Sequence, residues 1–418
     1  MEFQNTLYTN DNLFILNGLN SNLVDLIYLD PPFNSKRMYS APVGSKAAGT
    51  SFKDMWTWDD VNEAYLNTLA EKYVFLTDYI DAVSIIHSKA MAAYLTYMAQ
   101  RIVEMHRVLK DTGSIYLHCD PTASHYLKVV LDEIFGKDNF RNEITWSYTG
   151  NSVPKYCFPK KHDIIFWYSK TANFTFNPQN VLIPYSELTH KRYNHTDEEG
   201  KRYKISALKD GKQEIVYMKE GKFPDDVWDI PIVRGKEKTG YPTQKPLALL
   251  RRIIKASSNE GDLVMDPFCG CATTCVAAQQ LGRRWIGIDI ATQAVDILVE
   301  RLNSDLGLLK PLQEFISTDL VPQRTDIQII NKRVEGVKER LYKEQNGICN
   351  GCGVEFNILN MTVDHIIPES KGGASCYENY QLLCGHCNST KGANTMEYLR
   401  KKIATRKELI NNKIFFGK

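Results

Sequence analysis

The alternation of apolar and polar positions divides the chain into blocks of different texture. The apolar run Val24 to Leu29 predicts a buried strand, which ends abruptly in Asp30-Pro31-Pro32-Phe33. Residues 34–60 are rich in Gly, Ser, Lys and aromatics with no lasting period, and predict a mobile loop beside that turn. Helical spacing runs over about 78–109, Gly113 interrupts it, and 114–118 reads as a strand. An amphipathic helix over 124–135 and strands over 142–148 and 164–169 follow. Between 171 and 234 neither period survives, and short polar and aromatic pieces rich in Lys, Asn and Tyr predict an inserted recognition segment. The alternative there is a surface insertion without a binding role.

Regularity returns at 247. A helix over 247–256 and a short strand over 262–265 lead to the turn Asp266-Pro267-Phe268-Cys269-Gly270-Cys271-Ala272-Thr273-Thr274. That turn opens a helix through 281, and the strand 285–288 ends in Asp289. Strand, glycine turn, helix, strand and acid make the nucleoside-cofactor half of a doubly wound α/β sheet. Asp289 is placed to accept both ribose hydroxyls, with a helix-capping role as the alternative. No Gly-Lys-Ser/Thr phosphate cradle occurs, so a nucleoside lacking a triphosphate fits better than ATP. The Asp30 turn offers a carboxylate, carbonyls that proline keeps out of a helix, and a stacking face. Those groups suit a planar amine.

Composition narrows the setting. A length of 418 residues with 43% hydrophobic positions predicts two or three cored domains, and no run reaches the roughly 18 apolar residues of a membrane span. The N-terminus lacks a basic and apolar signal pattern, so a cytoplasmic protein without membrane association is expected. The net charge of +2 neither requires nor excludes nucleic acid; from Arg324 onward, 15 Lys/Arg face 10 Asp/Glu, leaving the tail mildly basic. Ten cysteines in such a compartment are unsuited to disulfides, which makes their spacing the informative property.

In combination, the Asp30-Pro31-Pro32-Phe33 turn, Thr243-Gln244-Lys245-Pro246 and Asp266-Pro267-Phe268-Cys269-Gly270 resemble the motifs of DNA amino-methyltransferases. Their order, catalytic turn first and cofactor turn later, is that of the beta class, and the resemblance covers about 5–300. It implies a Rossmann-like, seven-stranded, mostly parallel sheet binding S-adenosylmethionine. Asp30 and the Pro31 carbonyl would accept hydrogen bonds from an exocyclic amine, with Pro32 shaping the turn and Phe33 stacking on a flipped base. Asp266, Phe268 and Gly270 would line the cofactor pocket, Asp289 would hold the ribose, and Thr243 and Lys245 would lie near the methionine end. Ala272 departs from the family, which usually has glycine there; its methyl group restricts φ, and cofactor binding is still expected because alanine remains small. Asp-Pro-Pro favours adenine N6 within the family, with cytosine N4 as the alternative. Cytosine C5 chemistry would need a nucleophilic thiol, and no Pro-Cys pair occurs.

A second chemistry begins near 346. Cys349-x-x-Cys352 and Cys384-x-x-Cys387, separated by 31 residues, fit a structural tetrahedral zinc that staples a small module. Between and after them, Val363-Asp364-His365-Ile366-Ile367-Pro368, Asn379 and Asn388 resemble HNH endonucleases over about 345–395. The resemblance implies a ββα-metal domain in which His365 is the general base and Asn379 orients the finger. Asp364 and Asn388 would hold one Mg²⁺ or Mn²⁺, with Lys391 as a phosphate contact. The expected organisation is a methyltransferase domain over 1–320 with its recognition insertion at about 171–234, a linker over 321–345 and the HNH domain over 346–418. Double-stranded DNA is the expected partner, a homodimer follows by analogy with the beta class, and restriction-modification is the expected setting. The alternatives are a finger that only binds DNA and an RNA methyltransferase.

Overall fold

The computed structural model describes residues 5–34, 37–42, 45, 47, 51–54, 56–58, 61, 69, 72–149, 154–207, 212–306, 315–327 and 336–415. In chain order its strands begin with β1 (Thr6–Tyr8), β2 (Val24–Leu29), β3 (Arg37–Ser40), β4 (Ser51–Asp54) and β5 (Leu109–Cys119). They continue with β6 (Phe140–Ser147), β7 (His162–Ser169), β8 (His195–Thr196), β9 (Arg202–Ala207), β10 (Gln213–Tyr217) and β11 (Val227–Asp229). The last are β12 (Leu263–Asp266), β13 (Arg284–Ile288), β14 (Ile316–Thr318), β15 (Met361–His365) and β16 (Tyr380–Cys384).

Nine of these strands form one sheet in the order β11-β6-β7-β5-β2-β12-β13-β1-β14. Seven strands form the expected sheet, and β11 and β14 extend its two edges. Antiparallel pairing places β7 against both β5 and β6; the remaining pairs are parallel. Alternate side chains of β2 face opposite layers. Ile27 and Leu29 join one core with the helices Val74–Ile86, Lys89–Val108 and Ser124–Phe135. Leu26 and Tyr28 join the other with Leu247–Ser257 and Thr273–Gln280. Both faces are therefore apolar, as a doubly wound sheet requires. The strand β2 lies between β5 and β12, where the order of strands reverses, so its C-terminal turn and that of β12 emerge side by side.

The insertion is more regular than its sequence indicates. It contains the helix Glu187–Arg192, a three-stranded β8-β9-β10 sheet, and β11 on the edge of the main sheet. Period-2 patterning is absent because β9 and β10 bury little; Ile205 and Ile215 remain about half exposed, at 46% and 56%. Within 34–60, the expected loop, β3 and β4 pair as an antiparallel hairpin; residues 35, 36, 43, 44, 46, 48–50, 55, 59 and 60 lie outside the described residues.

The stretch 321–327, inside the expected linker, runs against the first domain. Ser21 N donates to Asp326 Oδ2 at 2.8 Å and Asn20 Nδ2 to Thr325 Oγ1 at 2.8 Å. Residues 328–335 lie outside the described part. The helix Val337–Glu344, also within the expected linker, sends Leu341 into the C-terminal core because its Val337 and Leu341 share one face. There the antiparallel β15 and β16 and the helix Gly385–Lys391 make a ββα unit, followed by the helix Met396–Phe415.

Candidate active sites

The two turns at the switch point border one cavity of about 700 Å³. Its lining includes Asp30, Phe33, Lys245, Asp266, Gly270 and Asp289; Pro31, Pro32, Thr243 and Phe268 also border it. Lys245 Nζ lies 2.6 Å from Asp30 Oδ2 and donates also to the Thr243 carbonyl at 3.3 Å. Asp30 Oδ1 is buried without a hydrogen-bond partner among the described residues. A half-satisfied carboxylate on a cavity wall is an acceptor prepared for an N–H donor. Phe33 lies against the His118 ring, with centroids 6.0 Å apart. His118 is itself held by the Tyr28 hydroxyl at 2.9 Å and by Asp163 Oδ2 at 3.1 Å. Burial would raise the Asp163 carboxyl, but the His118 hydrogen bond and charge, with Lys245, hold it below the usual range.

The stretch from 237 to 247 positions Lys245 by locking its own backbone. Gln244 Oε1 accepts from Thr239 N at 2.8 Å, Gln244 Nε2 donates to the Glu237 carbonyl at 2.8 Å, and Glu237 Oε1 accepts from Leu247 N at 2.6 Å. Thr243 is held at φ 64°, a left-handed conformation that costs a β-branched residue about 1–3 kcal/mol. Such strain persists only where the surrounding bonds over-determine it.

After β12, Asp266 Oδ1 accepts from Phe268 N at 3.0 Å and Oδ2 accepts from the Thr274 hydroxyl. Burial pushes this carboxyl up to about 7 against those two hydrogen bonds, and Asp30 and Asp289 raise it further. Gly270 has φ 49°, and a Cβ there would meet the Tyr241 ring at 3.0 Å. Asp289 accepts from Gly270 N and Ala291 N, both at 2.8 Å. Burial raises its carboxyl as well. These bonds tie the turn to the end of β13, and each Asp289 oxygen keeps a further acceptor position on a residue that lines the cavity. Ala272 occupies the left-handed region at φ 56°, where the usual glycine would cost less.

In the C-terminal unit, the sulfurs of Cys349, Cys352, Cys384 and Cys387 all lie within 4.8 Å of one another. Backbone N–H groups of Gly351 and Cys384 point to Cys349 Sγ at 3.4 and 3.2 Å. A Cβ on Gly351 would come within 2.8 Å of Cys387 Sγ. Four clustered sulfurs with N–H support fit a tetrahedral metal. Beside them, His365 Nε2 contacts Ser375 Oγ at 2.9 Å and Glu369 Oε1 at 3.5 Å. Asn379 closes the 366–374 loop: its Nδ2 donates to the carbonyls of Ile367 and Ala374, and its Oδ1 accepts from Ile367 N, each at 2.9 Å. Asn388 is half-buried on the helix Gly385–Lys391. Lys391 corrects one expectation. It is fully buried, pairs with Asp364 Oδ2 at 3.0 Å and donates to the His365 carbonyl at 2.8 Å, so it is not a phosphate contact. Its helix points it inward from the residue after Thr390, where it neutralises the only acid of β15.

Residues 24–300 match the family model for DNA methylases. The chain belongs to the DNA methylase family. Residues 349–394 of this methylase match the HNH endonuclease model. It is 28% identical over 371 residues to the type II methyltransferase M.EcaI of Enterobacter cloacae, covering 76% of this chain and 73% of that protein. It is 29% identical over 317 residues to the DNA adenine methyltransferase YhdJ of Escherichia coli (strain K12), covering 71% and 82%. Among solved structures, PvuII DNA methyltransferase (cytosine-N4-specific) matches with a TM-score of 0.45 and 14% identity, over 75% of this chain and 95% of that one.

The methylase also has cavity residues that the sequence reading missed. Arg101 is buried, stacks 3.3 Å from the Tyr97 ring centroid and donates to Asn12 Oδ1 at 2.6 Å and Asp11 Oδ1 at 3.0 Å. Asn12 Nδ2 donates to the Pro267 carbonyl at 2.7 Å, joining this wall to the β12 turn. A lone Arg on the apolar face of the helix Lys89–Val108 was the available signal, since buried cations need partners. No helix among the described residues is long and apolar enough to cross a membrane.

Proposed function

We propose that this methylase transfers a methyl group from S-adenosylmethionine to the exocyclic amine of a flipped DNA base, adenine N6, and that its HNH domain cuts DNA with Mg²⁺ or Mn²⁺. The reading is carried by Asp30, which lines the cavity with Asp266, Gly270 and Asp289 and whose buried Oδ1 has no hydrogen-bond partner among the described residues. When bound, S-adenosylmethionine supplies an electrophilic methyl group. Lys245 fixes one Asp30 oxygen, and the other accepts an N–H of the amine together with the Pro31 carbonyl. Those bonds keep the nitrogen lone pair available. The amine nitrogen would bond to the methyl carbon as the sulfur–carbon bond breaks, leaving S-adenosylhomocysteine as a neutral thioether, and the nitrogen would then release its proton through Asp30 Oδ1 to solvent. Phe33 would exchange its contact with His118 for the flipped base. Asp289 would hold the ribose, with Thr243, Phe268 and Gly270 shaping the remaining donor wall.

Duplex DNA suits the edge at which this cavity opens. The β6–β7 connection emerges on the same edge as the Asp30 turn, given the parallel and antiparallel pairings between them. It exposes Tyr156 and Phe158 almost completely, at 97% and 94%, beside Lys155, Lys160 and Lys161. Aromatic faces interleaved with cations suit bases and phosphates. In the second site, His365 would activate water and Asn379 would hold its loop. Asp364 and Asn388 would bind the divalent ion, which stabilises the leaving oxygen. The four cysteines would hold structural zinc. Restriction-modification in the cytoplasm and a beta-class homodimer complete the reading.

Methyl transfer is tested with labelled S-adenosylmethionine and adenine-containing duplex DNA: adenine N6 should acquire the label, and labelled cytosine N4 alone overturns the adenine assignment. The Asp364–Lys391 pair favours a second reading, a module that binds DNA without cutting, since the proposed metal ligand already has a buried cation. Incubation of unmethylated DNA with Mg²⁺ or Mn²⁺ separates the two. Cutting that disappears in His365→Ala supports the nuclease, and intact DNA under both metals supports the binding module.

A further inference from the structure

The C-terminal unit does not stand apart from the cavity. Lys371, Thr395 and Glu397 line it together with Asn10–Phe14 of the first domain. The contact is built around the helix Asn12–Gly18. Leu13 belongs to the C-terminal core with Met361, Met396 and Leu399. Asn17 Nδ2 donates to the Gly372 carbonyl at 2.5 Å, and Lys371 Nζ lies 5.4 Å from the Phe14 ring centroid. A Cβ on Gly372 would come within 2.4 Å of the Phe14 carbonyl oxygen. Glycine at φ 81° is thus needed for this close approach as well as for the turn.

The place of this contact identifies which end of the cavity it closes. Strand β1 pairs with β13, and Asp289 N donates to the Tyr8 carbonyl at 3.0 Å. Residues following β1 therefore stand beside the proposed ribose acid. Their side chains and those of Lys371, Thr395 and Glu397 border the same cavity as Asp289, and the ribose reading makes this β1 side the nucleoside end. A Lys ammonium, a Thr hydroxyl and a Glu carboxylate suit a purine edge, which offers ring nitrogens as acceptors and an exocyclic amine as donor. Glu397 is steadied by Lys401 at 2.9 Å on its own helix.

We infer that the HNH unit forms one wall of the methyl-donor cavity through Lys371, Thr395 and Glu397, so that donor binding and the nuclease module are thermodynamically linked. This inference rests on the donor-site reading above. The linking element is the 366–375 loop. It presents Lys371 to the cavity, while its Glu369 and Ser375 contact His365. Donor binding orders one side of that loop and the proposed nuclease base reads the other. Linkage is reciprocal: the factor by which the module tightens donor binding is the factor by which donor stabilises the docked module.

Calorimetric titration of the intact chain with S-adenosylhomocysteine tests this, without turnover. The Lys371→Ala/Glu397→Ala double variant should bind about tenfold more weakly than the parent. Hydrogen exchange on the parent provides a measurement independent of substitution: saturating S-adenosylhomocysteine should protect 366–375 and 395–397. An unchanged affinity in the double variant, or no protection of these segments, overturns the inference alone. A parent chain that binds no S-adenosylhomocysteine overturns the donor-site reading and this inference with it.

Discussion

At the scale of single residues, the arrangement around Asp30 separates binding from chemistry. Its Oδ2 is occupied by Lys245, whereas its Oδ1 is buried without a hydrogen-bond partner among the described residues, on a residue that lines the cavity. Asp30→Ala should lower kcat for methyl transfer by about 10²–10³-fold and leave S-adenosylmethionine affinity within about threefold. Single-turnover transfer and calorimetric binding check the two parts separately. Asp266 gives a pH signature of opposite kind. Native Asp266 keeps its proton to about 7, whereas the unfolded chain releases it near 3.8. Between those values the native state binds more protons, so this group's contribution to stability falls as pH rises and then levels above about 7. Denaturant titrations of Asp266→Asn should lose that decline, an effect of a few kcal/mol at most. An unaltered pH profile would show that the buried carboxyl is already ionised in acid.

At the scale of elements, legibility followed periodicity. Strand β2 and the helix Ser124–Phe135 have the bounds expected from sequence because β2 is apolar on both faces and the helix buries a continuous face against the sheet. The strands β8, β9 and β10 escaped notice because both their faces are wet, and β11 because an edge strand of three residues carries no measurable alternation. The two motif turns could be read since proline, glycine and acids at fixed offsets determine local backbone. Arg101, Asp11 and Asn12 could not, because their meeting depends on how the helix Lys89–Val108 crosses the helix Asn12–Gly18. The same local reasoning makes a prediction at Ala272. Relieving its left-handed backbone with Ala272→Gly should gain about 1 kcal/mol after the entropic cost of glycine, raising Tm by about 2 °C. A lower Tm would mean that the methyl group contributes more to packing than it costs in strain. The C-terminal element has its own test. One zinc per chain should be released on Cys384→Ser substitution, with loss of ordered β15–β16 structure by amide exchange, because the small core depends on the staple. Full protection without bound metal would contradict a structural role.

At the scale of the whole molecule, the helix Asn12–Gly18 is where the architecture is decided. It caps the cavity with Asp11 and Asn12 and enters the C-terminal core with Leu13. Two proposed chemistries therefore meet across one short helix, so modification and cleavage can share a ligand without a large domain movement. All of this depends on the first reaction being amine methylation. The most direct measurement is base-resolved sequencing of genomic DNA treated with purified chain and S-adenosylmethionine, alongside DNA treated with Asp30→Ala. The account predicts N6-methyladenine at one recurring sequence with the parent chain and unmodified DNA with the variant. DNA without any amino-methylated base after treatment with the parent, or equal methylation by Asp30→Ala, would contradict it.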